Sequence, residues 1–105
     1  MWSIGDRVLA LWPFEEGIYY PAIVCGRGED SFLVQFDDGD RAEMPGEMIR
    51  RLMLRDGDRI QGRWRNQNLY YEGVVLEQRG WAIHIRYDDG DEEWTSVCLI
   101  RVVDG

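Results

Sequence analysis

The chain is written twice. "GDRVLALW" (Gly5 to Trp12) returns 52 residues later as "GDRIQGRW" (Gly57 to Trp64). "YYPAIV" (Tyr19 to Val24) returns after 51 residues as "YYEGVV" (Tyr70 to Val75). "FDDGD" at Phe36 to Asp40 becomes "YDDGD" at Tyr87 to Asp91, and "MIR" at Met48 to Arg50 becomes "LIR" at Leu99 to Arg101. A repeat that covers nearly the whole length describes one supersecondary unit folded twice. The boundary between copies falls near residue 53, giving domains 1–53 and 54–105. Only "LRDG" or so separates them, too little chain for the two to tumble freely, so close packing is expected.

Within each copy, short alternating runs are separated by Gly, Asp, Asn and Pro, the pattern of a small all-β unit. Strands are expected over 7–12, 19–25, 31–36, 41–44 and 49–52, and again over 58–64, 70–78, 81–87, 92–95 and 100–103. Five short, bent strands close most economically as a small barrel, which removes exposed sheet edges. The period of two sends Val8, Ala10 and Trp12 inward, with Ile60, Gly62 and Trp64 as their counterparts. Tyr20, Ala22 and Val24 match Tyr71, Gly73 and Val75, while Tyr19 and Tyr70 fall on the opposite face. Leu9 and Leu11 face outward on a small barrel and call for cover, which the second copy is expected to give.

With 45% hydrophobic residues and no low-complexity run, the chain is expected to fold. Its longest apolar runs are far short of the roughly 20 residues that span a bilayer. The opening "MWSIGDR" lacks a basic-then-apolar signal pattern, so a soluble intracellular protein with no membrane role is expected. Cys25 and Cys98 are not at matching places in the copies and have no metal-ligand spacing around them. Neither a disulfide, a metal nor any cofactor is therefore expected. Twenty acids oppose twelve basic residues, all arginine, for a net charge of -8. Such a surface repels phosphate and suits a basic peptide better than a nucleic acid.

The repeated "DDGD" reads first as a hairpin turn, because Asp-Gly supplies the positive backbone dihedrals a tight turn needs. A calcium loop lacks its twelve-residue spacing and final Glu. The turn leaves the aromatics around it unexplained. Each copy sets a Trp at the end of strand one, a Tyr at the start of strand two, an aromatic at the end of strand three and an Asp two residues later. The first set is Trp12, Tyr20, Phe36 and Asp38; the second is Trp64, Tyr71, Tyr87 and Asp89. Such strand ends can meet at one rim, where rings would wall a pocket with a carboxylate at its lip. That chemistry attracts a weakly hydrated cation such as a methylated ammonium.

The pattern "GDRVLALW...GIYYPAIV...FLVQFDDGD...MIRRL" resembles the Tudor domains of the Royal superfamily along its length, and the second copy is nearly as similar. The resemblance implies tandem five-stranded SH3-like barrels with aromatic cages for methylated lysine or arginine. Carried over by position, the cage uses the first or the second set named above. The first is preferred because "LWPFEEGIYYPAIV" with "FDDGD" is the closer match. Asp40 and Asp91 stand where many Tudor cages have a further aromatic, which leaves each cage open on one side. The implied partner is a methylated basic peptide, with a histone tail as the leading case. The implied setting is the nucleus, otherwise the cytoplasm, with the chain a monomer inside a larger assembly.

Trp and Tyr at barrel ends also serve as lids over a small core, and each set is weighed against that reading. Trp2, Phe14, Trp81 and Trp94 read as packing residues, with Trp94 the first to promote because its strand follows the second acidic turn. His84, the sole histidine, lies on the outer face of strand three with no Ser or Cys partner, so no enzyme is expected. Two other readings compete with a methyl-peptide reader. One is an acidic SH3-like scaffold for an unmodified protein; the other is a nucleic-acid-binding barrel using a clustered arginine surface of Arg50, Arg51, Arg55, Arg59, Arg63 and Arg65 near the junction.

Overall fold

The computed structural model describes residues 1–66 and 68–104. It divides into two compact units, Met1–Leu52 joined by Asp104, and Met53–Val103. The first contains β1 (Arg7–Leu11), β2 (Ile18–Arg27), β3 (Phe32–Phe36), β4 (Arg41–Met44) and β5 (Ile49–Arg51). The second contains β6 (Arg59–Gly62), β7 (Tyr71–Arg79), β8 (Ala82–Tyr87), β9 (Glu92–Ser96) and β10 (Ile100–Val103). In each unit the order across the curled antiparallel sheet is fourth, third, second, first, fifth strand. This is the five-stranded all-β architecture expected from the repeat.

Where the boundaries differ from the alternating pattern, the cause is local. β2 runs longer than expected and β7 as long as expected but one residue later, and each carries a bulge, between Val24 and Gly26 and between Val75 and Glu77. The extra residue bends a strand without ending it, so one strand serves both sides of a small barrel. β1 and β6 end earlier, at Leu11 and Gly62, which leaves Trp12 and Trp64 just beyond the ladder. Trp12 remains tied to the sheet through its N–H, which donates to the Ile18 carbonyl at 2.7 Å. Trp64 begins a 3₁₀ turn (Trp64–Asn66) in which Arg65 has φ of +52°. The other 3₁₀ turns among the described residues, Gly46–Met48 and Val97–Leu99, lead into the fifth strand of each copy.

The inward faces form the cores. Val8, Ala10, Ala22, Val24, Val34, Phe36, Met44 and Ile49 make one buried cluster in the first unit. In the second, Ile60, Val75, Ile83, Ile85, Val97 and Ile100 are buried on the matching faces. Leu9 is also buried and Leu11 partly so. Trp2 packs against the first core and donates its indole N–H to the Gly46 carbonyl at 3.3 Å. Phe14 and Trp81, expected as packing residues, are 82% and 57% exposed. Each sits where the chain leaves a strand face and alternation no longer dictates burial.

The doubled tyrosine has two fates. Tyr20 is half-buried against the first core and Tyr71 is exposed, while Tyr19 and Tyr70 lie under arginines of the last strand. The Arg50 guanidinium stands 4.1 Å from the Tyr19 ring centre, and that of Arg101 stands 4.0 Å from Tyr70. "YY" and the final "IR" are therefore one cation-π contact, repeated.

Candidate functional site

Each acidic turn is built the same way. Phe36 N–H donates to the Asp40 carbonyl and Gly39 N–H to the Phe36 carbonyl, at 2.8 and 2.9 Å. Tyr87 to Asp91 and Gly90 to Tyr87 repeat this at 2.7 and 2.9 Å. Gly39 and Gly90 have φ near +98° and +95°, where a side chain is strained. Asp38 and Asp89 each accept their turn's own N–H, from Asp40 and Asp91, at 3.0 Å. The preceding acid has a different role. Asp37 takes a two-pronged bond from Arg7 at 2.7 Å, and Asp88 one from Arg59 at 2.9 Å. The Arg59 bond holds the Asp88 carboxyl below the usual carboxylate range. The "GDR" arginine and the first Asp of "DDGD" thus clamp the base of the turn to the first strand.

In the second unit a cavity of about 350 Å³ opens beside this turn. Its rings are Trp64, Tyr71 and Tyr87, and its acids are Glu72, Asp88, Asp89 and Asp91. All four residues of the second sequence-derived set are in its wall. Trp64 meets Tyr87 edge to face, with ring centres 5.3 Å apart and an interplanar angle of 84°. Tyr71 is 42% exposed and stands open to a ligand. Tyr87 is almost fully buried, and its hydroxyl donates to Glu93 at 2.6 Å. Burial, and then this bond to a carboxylate, push the Tyr87 phenol well above its ordinary value. The ring therefore stays neutral and its position is locked. Glu93, Glu72 and Asp88 were not in the sequence-derived set, although the repeat already placed Asp88 beside Asp89.

In the first unit the rings of the matching set are also together. Trp12 lies edge to face with Tyr20 at 5.4 Å and with Phe36 at 4.9 Å. A third ring, Phe14, meets Trp12 at 5.5 Å. Tyr20 and Trp12 are partly buried against the core, and Asp38 is exposed on its turn. The cavity beside Trp12 lies toward Phe14, Met44 and Met48; among the described residues, Tyr20, Phe36 and Asp38 are not in its wall.

Trp94 does not join the second site. It stacks on His84 on the outer face of β8 and β9, 4.9 Å apart and 16° from parallel. Arg79 approaches its ring at 5.4 Å, and His84 Nε2 lies 3.1 Å from Glu92. Alternation along β9 turns Glu93 to the Tyr87 hydroxyl and its neighbour Trp94 to the other face. Several arginines of the expected phosphate-binding cluster have intramolecular partners. Arg50 covers Tyr19 and pairs with Asp104, Arg59 holds Asp88 and Glu72, and Arg65 lies 5.0 Å from the Trp64 ring centre.

Two curled five-stranded antiparallel units, each with rings at the rim beside an acidic turn, define a tandem of SH3-like interaction barrels. The chain has the fold of tandem Tudor domains, and its first unit is similar to a Tudor domain in sequence. Residues 4–52 match the family model described as the DNA repair protein Crb2 Tudor domain. The whole chain is similar to the crystal structure of the Crb2 tandem tudor domains, with a TM-score of 0.73 and 21% identity. That likeness covers 98% of this chain and 81% of the other. No curated protein matches the chain in sequence.

Proposed function

We propose that this protein is a non-enzymatic reader that binds a basic peptide carrying a methylated lysine, with the second unit's cavity as the cage. The carrying observation is the meeting of Trp64, Tyr71, Tyr87 and Asp89 around one open space of about 350 Å³. Ring faces carry negative potential and attract a methylated ammonium, whose large, weakly hydrated charge loses little on leaving water. Glu72, Asp89 and Asp91 add negative charge at the lip, which suits the basic residues flanking such a lysine. A histone tail has this chemistry, and with the Tudor likeness it supports a chromatin setting in the nucleus. The two domains are 1–53 and 54–105, in keeping with the repeat.

The sequence match ranks the first unit ahead, and the packing supports the reverse order. In the first unit the groove beside Trp12 is not walled by Tyr20, Phe36 or Asp38, whereas in the second the four residues of the set line one cavity and Tyr71 stands exposed in it.

Calorimetric titration with a lysine-containing histone-tail peptide, unmodified and dimethylated, tests this. Two or three cation-π contacts of about 0.5 to 2 kcal/mol each support a Kd of order 10 to 1000 µM once peptide ordering is subtracted. The methylated form is expected to bind more tightly, and Trp64→Ala or Tyr71→Ala to erase the difference. Equal binding of both peptides removes the cage reading and leaves an acidic scaffold for unmodified partners. Loss of preference in Trp12→Ala alone moves the site to the first unit.

A further inference from the structure

The first unit has an open groove of about 430 Å³ that the cage reading does not use. One wall is the loop between β1 and β2, with Trp12 and Phe14; the other is the end of β4 and the 3₁₀ turn after it, with Met44 and Met48. Phe14 is 82% exposed and Met48 38% exposed. Phe14 is not loose, since its ring is held edge to face on Trp12 at 5.5 Å. The groove is thus a preformed apolar slot with one ring standing in water. Its acids are Glu15, Glu16 and Glu43, and among the described residues its lining has no basic side chain. Glu43 is fixed by the Ser31 hydroxyl, which donates to it at 2.5 Å.

We infer that this groove docks a basic peptide segment by one unmodified apolar side chain, seated between Phe14 and Met48. Lysines or arginines on either side of that anchor would face Glu15, Glu16 and Glu43. Charge selects this occupant. A second copy of this chain brings another net charge of -8, and nucleic acid brings phosphates, so both are repelled by the acidic rim. The methionines suit an anchor of variable shape, because the unbranched thioether repacks around different aliphatic groups. Recognition here needs no methyl mark and no residue of the second unit.

The intact chain labelled with ¹³C at its methionine methyls provides the test. The probe is the acetylated, amidated peptide Arg-Lys-Leu-Arg-Lys, added into the millimolar range, with the same peptide carrying Ser in place of Leu as control. The Met44 and Met48 signals are expected to move saturably while Met53 stays. The serine peptide should bind about tenfold more weakly or worse, as burial of a leucine side chain implies. Phe14→Ala, a change at a side chain outside the core, should weaken the leucine peptide severalfold, and Glu15→Gln with Glu16→Gln should reduce binding most at low salt. Unmoved Met44 and Met48 signals, or equal binding of both peptides, overturn the inference. So do shifts that follow protein concentration without peptide, which would mean self-association. The peptides are unmethylated and the response should persist in Trp64→Ala, so failure here and failure of the cage are told apart.

Discussion

A Cβ atom added at Gly62 would stand 2.7 Å from the Tyr87 hydroxyl. The first unit has Ala10 at the matching position, and Phe36, which has no hydroxyl, in place of Tyr87. The third member of the set follows the same logic: Glu93, which accepts the Tyr87 hydroxyl, corresponds to Ala42. Glycine makes room for the oxygen and the carboxylate satisfies it, whereas the two alanines fill the space around a phenyl ring. The copies therefore differ at all three positions, and in the second the change sets the surroundings of Tyr87, one wall of its cavity.

Gly62→Ala should destabilise the protein by about 1–3 kcal/mol, the usual cost of forcing an extra methyl into a packed site. Adding Tyr87→Phe and Glu93→Ala, which recreates the first unit's arrangement, should recover most of that loss. Denaturant unfolding of the single, double and triple variants measures the coupling. Additive effects would show that the three positions do not act as a unit.

Alkaline pH should weaken the second unit through Tyr87. Its phenol is raised by burial and by Glu93, so the fold favours the neutral form. The unfolded chain ionises near pH 10. The sign follows: this contribution is whole below about pH 10 and is lost as pH rises through and beyond it. Tyrosinate absorbance should show an ionisation delayed to strongly alkaline pH, and Tyr87→Phe should remove both that delay and its share of the alkaline instability.

Arg50→Ala and Arg101→Ala should each cost about 0.5–1 kcal/mol by removing the cation from Tyr19 and Tyr70. The exposed Arg50–Asp104 ion pair is expected to add little. Asp104→Asn should accordingly leave thermal stability nearly unchanged. A loss in Asp104→Asn as large as in Arg50→Ala would assign the effect to the ion pair.

Peptide affinity should fall as salt rises through the range where the Debye length drops below about 10 Å, because a chain of net charge -8 attracts a basic tail over distance. The preference for methylated over unmodified lysine should change less, since cage contacts are short-ranged. Asp89→Asn tests the lip directly and is expected to weaken the methylated peptide severalfold while Trp64 and Tyr71 still favour it. Binding unaffected by salt would point to an apolar partner.

The amino-acid sequence by itself determined the unit and its doubling. Aromatic, turn and alternating residues recur at one spacing, and a period of two assigns Val8, Ala10, Ala22 and Val24 to one interior without any knowledge of the partner strands. It also placed Tyr71 and Tyr87 at strand ends, with Asp89 on the turn that follows. Tertiary structure alone decided how those ends are filled. Trp12 and Phe14 come together through a loop that has no period, and Trp64 is presented by a 3₁₀ turn that alternation reads as more strand. Trp94 follows the second turn closely in sequence, yet the β8–β9 register faces it to His84 and turns Glu93 to Tyr87. Local pattern is set by the neighbours along one strand. Whether rings at a rim enclose space or close on each other depends on register, bulge and curl, which only the contacts between distant strands decide.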